Sequence, residues 1–182
     1  MAGALDDPGP GGAPTSPAVC DATPTPAEWR AAMGFFPSGV TIVSTWEDGA
    51  PVGSTVNAFC SVSLSPPLLL VCIDLANPIR AALESARIFG VNILDHEGRH
   101  LARRFATDPL TGRFETFAYR AAPGGAPQLD LAPVFVDCTV EHIHTAGDHL
   151  IVVGRGVRIE HTPTATPLLY HKGQYPKFAT PD

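Results

Sequence analysis

Strand-like segments outnumber helical ones in this chain, and the helical ones interrupt them singly instead of alternating with them. "LLLVCID" (68–74) is apolar on both faces, as a strand in the middle of a sheet must be. "VTIVSTW" (40–46) is β-branched and runs into the turn "EDGA", and "PVGSTVNAF" (51–59) and "FGVNIL" (89–94) read as further strands. Two long strands are expected near 133–145 and 149–160, with a short one at "LLYH" (168–171). Helices are expected in three places. Thr25 caps the first, with Pro26 at its opening position and Glu28 completing a capping box, and Gly34 and Pro37 end it. "PIRAALESA" (78–86) and "HEGRHLARRFA" (96–106) supply the others, and residues 107–132 form a long connection. This order opposes a doubly wound parallel sheet. It predicts a mostly β domain, a largely antiparallel barrel with short helices packed outside.

At 182 residues the chain fits one domain with a substantial core, and its 45% apolar and 16% charged content is that of a globular protein. Residues 1–24, rich in Pro, Gly, Ala and Thr, read as a disordered arm ahead of an ordered domain over 25–178. A net charge of −6 argues against nucleic-acid polymers and anionic membranes as partners. No apolar run is long enough to span a bilayer, and the N-terminus lacks a basic-then-apolar leader, so a cytoplasmic protein is expected. Cys20, Cys60, Cys72 and Cys138 are widely spaced, which speaks for free thiols over a zinc site, and Cys72 and Cys138 read as buried.

The stretch "GSTVNAFCSVSLSPPLLLVCI" (53–73) holds no Lys or Arg, and its Ser, Thr and Asn side chains precede a Pro-Pro step and the apolar strand. Neutral donors and acceptors on small residues suit the polar edge of a flat heterocycle without fixing a charge beside it. Phosphate-loop and nucleophile-elbow patterns are missing, and "GRG" (154–156) lacks the third glycine of a dinucleotide fingerprint. His142 and His144, two apart on a strand, share one face but lack the further acid of a metal set. His149 follows the turn "AGD", at the rim of the expected barrel.

Four stretches in this order, "AMGFFPSGVTIVST", "GSTVNAFCSVSLSPPLLLVCI", "FGVNIL" and "AGDHLIVVGRGVRIE", resemble the short-chain flavin reductases, the reductase components of two-component flavin-dependent monooxygenases. The resemblance covers about residues 27–176 and implies a split β-barrel and a homodimer. It implies that NADH, or NADPH, reduces FAD or FMN, and that reduced flavin diffuses to a separate monooxygenase. It carries flavin contacts to Ser54, Thr55, Val56, Asn57, Ser61, Val62 and Ser63, with Ser38 beside them, and nicotinamide binding to Gly147, Asp148 and His149. No residue is assigned as an acid or base, because hydride transfer needs alignment more than proton exchange. Where relatives carry Ser, Thr or basic residues for the flavin phosphate, this chain reads "LANPIRAAL"; Pro78 has no N–H to give, which leaves Arg80 for that charge. "YHKGQY" (170–175) is expected to serve a partner subunit's site. Two other functions fit such a barrel: a non-catalytic module holding flavin or haem, and a flavin oxidase like the pyridoxamine-phosphate oxidases. The latter wants a basic phosphate cluster, for which Arg80, Arg103 and Arg104 are the candidates.

Overall fold

The computed structural model describes residues 23–177. The expected arm therefore lies outside the described residues as far as residue 22, as does residue 178. Helix α1 (Pro26–Met33) starts as its sequence dictates: Glu28 N–H donates to Thr25 Oγ1 at 3.3 Å, and Thr25 N–H donates to Glu28 Oε2 at 2.8 Å. None of its residues is buried. Next come β1 (Ser38–Gly39), β2 (Thr41–Glu47), β3 (Ala50–Val56), β4 (Phe59–Leu64) and β5 (Pro67–Asp74). Helix α2 (Ile79–Ala86) ends at Arg87, whose φ of 59° stops it, and β6 (Ile88–Ile93) follows. A 3-10 turn (His96–Gly98), capped by the Asp95 carboxylate, leads into α3 (Arg99–Thr107). The strands β7 (Tyr119–Ala121), β8 (Pro127–Leu129), β9 (Val134–Ala146), β10 (His149–His161) and β11 (Leu169–Tyr170) complete the chain.

Seven strands form one sheet in the order β3-β2-β6-β9-β10-β5-β4, and every neighbouring pair is antiparallel. The two edge strands, β3 and β4, are joined through Asn57 and Ala58 alone. A sheet whose first and last strands are two residues apart must curl until its edges meet. Among the described residues no pairing joins β3 to β4, so the barrel stays open along that seam. Curvature is helped by bulges in β9–β10 between Val153/Gly154 and Gly156/Arg158. Two glycines let aromatic rings lie on the backbone: a Cβ on Gly90 would strike Phe135, and one on Gly154 would strike Phe89.

β3 separates two cores. On the inner face Val52 and Val56 pack with Val71, Ile73, Phe89, Val152 and the Ile79, Ala82 and Leu83 stripe of α2. On the outer face Ile42 of β2 packs with Leu101, Ala102 and Phe105 of α3, Phe114 and Leu168. Burying these apolar side chains is the dominant stabilising term, at roughly 1.5–3 kcal/mol for each large one. Asn92 ties β6 to its surroundings, donating to Ile42 O at 3.0 Å and to Ser44 Oγ at 2.9 Å while accepting from Leu129 N–H at 2.8 Å.

Four sequence expectations need correction. The strand expected over 51–59 ends at Val56, and a separate edge strand, β4, occupies 59–64. The expected helix over 96–106 is a 3-10 turn followed by α3, and the connection over 107–132 contains the β7–β8 hairpin. Cys138 is buried, its thiol pushed up to about 12 by burial and then by Asp137, whereas Cys72 is only half-buried.

Candidate functional site at the barrel seam

Strand alternation splits the residues carried over from the resemblance. Ser54 shares the inner face of β3 with Val52 and Val56, so its hydroxyl is buried and accepts from Asn77 Nδ2 at 3.0 Å. Val56 itself is a core residue, which leaves only its main chain for a ligand. Thr55 faces outward, and its Oγ1 donates to Ala102 O of α3 at 2.7 Å. Asn57, exposed at the seam, donates from Nδ2 to Ser38 Oγ at 3.3 Å. Ser38 pairs with Tyr170 across β1–β11, so the short outer sheet brings the chain's C-terminal part to the same corner. Val40, Thr55, Asn57, Ala106, Tyr170 and Tyr175 line a cavity of about 190 Å³, with the two tyrosine rings 5.6 Å apart. Tyr170 and Tyr175 thus line a hollow in their own chain. Burial leads the causes that raise the Tyr175 phenol above its ordinary value, with Tyr170 adding to the shift.

A second group lies on the α2 side of the seam. The β9–β10 hairpin turns through Gly147 and Asp148, and Gly147 has φ 60°, which suits the first central position of a two-residue hairpin turn. Asp148 O accepts from Leu75 N–H at 2.9 Å, docking this turn on the loop before α2. In that loop Asn77 reaches Ser54 with Nδ2, while its Oδ1 accepts from Ile79 N–H at 3.2 Å. A chain of hydrogen bonds therefore connects β3, the α2 loop and the His149 hairpin. His149 Nδ1 lies 2.8 Å from Asp148 Oδ1, and that bond holds the Asp148 carboxyl below the usual carboxylate range. Ala58 O accepts from Cys72 N–H, and Asp74 pairs with His149 across β5–β10. The seam and His149 are thus two strands and two residues apart, about 12 Å.

Ser61, Val62 and Ser63 continue from the seam along β4, where the register shifts between Ser61 and Ser63. Ser61 and Val62 are exposed and Ser63 half-exposed, so the neutral ledge read from sequence runs along the open edge. Arg80, half-buried in the first turn of α2, lies on the opposite side of β3 from Thr55 and the tyrosine cavity. The structure therefore brings Thr55 and Asn57 together at the cavity, with Ser38 bonded to Asn57 beside it. It gathers Ser54, Arg80 and His149 around the α2 loop, and Asn57–Ala58 joins the two groups. Asn77 escaped the sequence reading; an Asx residue just before Pro and a helix was its one signal.

A larger hollow of about 570 Å³ lies at the far end of β3. Phe114, Phe117 and Tyr119 form its apolar wall, and Glu47, Asp48 and Glu115 bring three carboxylates that disfavour phosphate-bearing molecules. Among the described residues no group of three or more His, Cys, Asp or Glu is placed to hold a metal, and the His142 and His144 rings are 5.9 Å apart.

An open seven-stranded antiparallel sheet with a neutral polar seam defines the class, and sequence comparison gives the family. The profile of the flavin reductase like domain matches residues 33–179, and the chain belongs to that family. The chain is similar to the reductase subunit HsaB of a flavin-dependent monooxygenase from Rhodococcus jostii (strain RHA1), 36% identical over 82% of this chain and 76% of that protein. It is 39% identical to the flavin reductase (NADH) of Kitasatospora aureofaciens, over 80% of this chain and 78% of that one. In three dimensions it resembles the NADH:FAD oxidoreductase SgcE6 of Streptomyces globisporus C-1027, with a TM-score of 0.81 and 31% identity over 86% of this chain and 94% of that one. SgcE6 has also been solved with NAD and FAD fragments bound.

Proposed function

We propose that this chain is an NADH-dependent flavin reductase that passes hydride to FAD or FMN and releases reduced flavin to a separate flavin-dependent monooxygenase. The observation carrying this reading is the uncharged seam: Ser38, Thr55, Asn57 and the open edge of β4 offer hydrogen-bonding groups with no carboxylate or cation among them. Thr55, Asn57, Ser61, Val62, Ser63 and Ser38 would hold the flavin, and Ser54 and Val56 would contribute main chain, while Arg80 stands across β3 on the His149 side. Bound flavin supplies a two-electron acceptor to which hydride can move from a stacked nicotinamide. The protein's part is alignment. In the tautomer that gives Nδ1–H to Asp148, His149 Nε2 is left to accept from a carboxamide N–H.

A cavity of about 190 Å³ falls below the roughly 300–1,000 Å³ of ordinary ligand pockets, so one chain provides only part of an enclosure. A second copy would supply the rest. Helix α1 buries none of its residues, and Trp29, Phe35, Phe36 and Leu64 are exposed, with Leu64 at 93%. These surfaces support a homodimer. Among the described residues no helix is long and apolar enough to cross a membrane, and Cys60, Cys72 and Cys138 are free thiols, which supports a cytoplasmic setting.

The test is anaerobic stopped-flow mixing of the protein and NADH or NADPH with FAD or FMN. Rapid bleaching of flavin by NADH, with turnover of many equivalents of added flavin, is expected. No bleaching with either nicotinamide, or flavin retained stoichiometrically through purification, would replace the enzyme with a binding module.

A further inference from the structure

α3 concentrates positive charge on an acidic protein. Residues 99–104 include Arg99, His100, Arg103 and Arg104, in a chain whose net charge is −6. Arg104 is engaged: its Nη2 donates to Gly112 O at 3.1 Å, its Nε lies 3.5 Å from Asp108 Oδ2, and its guanidinium stands over Phe117. Arg99 and Arg103 differ. Both are exposed, and neither side chain makes an ion pair or hydrogen bond among the described residues.

Their position gives this free charge a direction. Residues 99, 103 and 106 recur at helical spacing along one side of α3, and Ala106 lines the tyrosine cavity beside Thr55 and Asn57. The Arg99 guanidinium lies 5.5 Å from the Tyr175 ring centroid, and both arginines are close enough to favour the ionised Tyr175 phenol. Arg99 and Arg103 also line an open groove of about 640 Å³ with Glu97, His100, Thr107 and Asp108. Of its two acids, Asp108 already faces Arg104. The arginines therefore line the open groove, and Arg99 also reaches a tyrosine that lines the smaller hollow beside it.

We propose that Arg99 and Arg103 bind the phosphate of a nucleotide whose ring system engages the Thr55–Asn57–Tyr175 cavity. This rests on the flavin reductase reading above but names a phosphate seat on α3, across β3 from Arg80. Guanidinium forks suit phosphate oxygens, and two on one helical face can share a pyrophosphate. The phosphate belongs either to the flavin or to the nicotinamide nucleotide, and the chemistry of the seat is the same for both.

The test compares wild type with R99Q/R103Q and R99K/R103K in the full-length protein. Dissociation constants for FAD, FMN and riboflavin are measured by flavin fluorescence at low and raised salt, and KM for NADH by steady-state kinetics. Loss of charge-assisted contacts should weaken FAD and FMN binding by about ten-fold or more in R99Q/R103Q, with riboflavin within about two-fold and the lysine variant intermediate. Raised salt should narrow the difference. A rise in KM for NADH with flavin affinities unchanged assigns the same seat to the nicotinamide nucleotide. Unchanged FAD, FMN and NADH parameters, or an equal loss for riboflavin, overturns the proposal. A wild type that neither binds riboflavin nor oxidises NADH overturns the reductase reading instead, so the two failures are distinct. Both arginines are exposed, and a thermal melt matching wild type confirms that folding is intact.

Discussion

The Ser54–Asn77 bond decides what the buried hydroxyl of β3 is for, and removing each partner measures it. Asn77→Ala deletes two hydrogen bonds, one to Ser54 Oγ at 3.0 Å and one from Ile79 N–H at 3.2 Å that steadies the start of α2. At about 1 kcal/mol for each bond, the loss is about 2 kcal/mol. Ser54→Ala deletes the first bond alone and leaves Asn77 Nδ2 half-buried without an acceptor, for about 1 kcal/mol. In a domain of this size each kcal/mol lowers Tm by about 2–4 °C, so Asn77→Ala should fall by about 4–8 °C and Ser54→Ala by about 2–4 °C. The double variant should fall no further than Asn77→Ala, giving a coupling of about 1 kcal/mol. Thermal unfolding at fixed protein concentration measures this, and flavin fluorescence titration of the same samples measures binding. Because the Ser54 hydroxyl is spent inside the protein, Ser54→Ala should keep flavin affinity within about two-fold of wild type, below the loss of one ligand hydrogen bond. Additive Tm losses would refute the bond. A ten-fold loss of flavin affinity at unchanged Tm would show that the hydroxyl turns outward to the ligand.

His149→Ala should raise KM for NADH by about two- to ten-fold, the value of one hydrogen bond, while flavin affinity holds; equal losses of both would remove the nicotinamide role. Gly154→Ala drives a methyl group into Phe89 and to 3.2 Å from Cys138 Cβ, and should cost about 1–3 kcal/mol in urea unfolding. Glu160 is held below its ordinary value of 4.5 by hydrogen bonds from Gln128 and Arg158 and by Arg120. A depressed carboxylate contributes stability that is present above its unfolded pKa and lost as pH falls through the folded one. Stability should therefore decline with acidification below about pH 4.5, and Glu160→Gln should flatten that part of the Tm–pH curve. An unchanged acid limb in the variant would place the effect in other carboxylates.

Much of the fold was legible because its signals are local. The Thr25–Glu28 capping box, the β-branched run before "EDGA" and the doubly apolar "LLLVCID" each state their structure within a few residues. β4 was missed because its alternation is blurred: "FCSVSL" mixes neutral polar and apolar side chains, and its edge position leaves most of them exposed. Periodicity reads burial, and an edge strand with little burial offers it little to read. The neutral character of the site was equally visible, but its division was not. Ser54 and Thr55 are adjacent in sequence and face opposite cores, and which partner each meets depends on where α2 and α3 fold back. The fit of Tyr170 and Tyr175 against Asn57 arises from the β1–β11 pairing across much of the chain, a register no short window contains.

The unbonded junction of β3 and β4 has a consequence for exchange. A cosubstrate that arrives and departs in every catalytic cycle gains little from a gate that must swing, since each opening adds a delay. Here the two borders of the sheet are tethered by Asn57 and Ala58, and among the described residues no ladder of backbone hydrogen bonds closes one against the other. A visitor entering there need not first pry apart a β3–β4 ladder, so coming and going need no unfolding step.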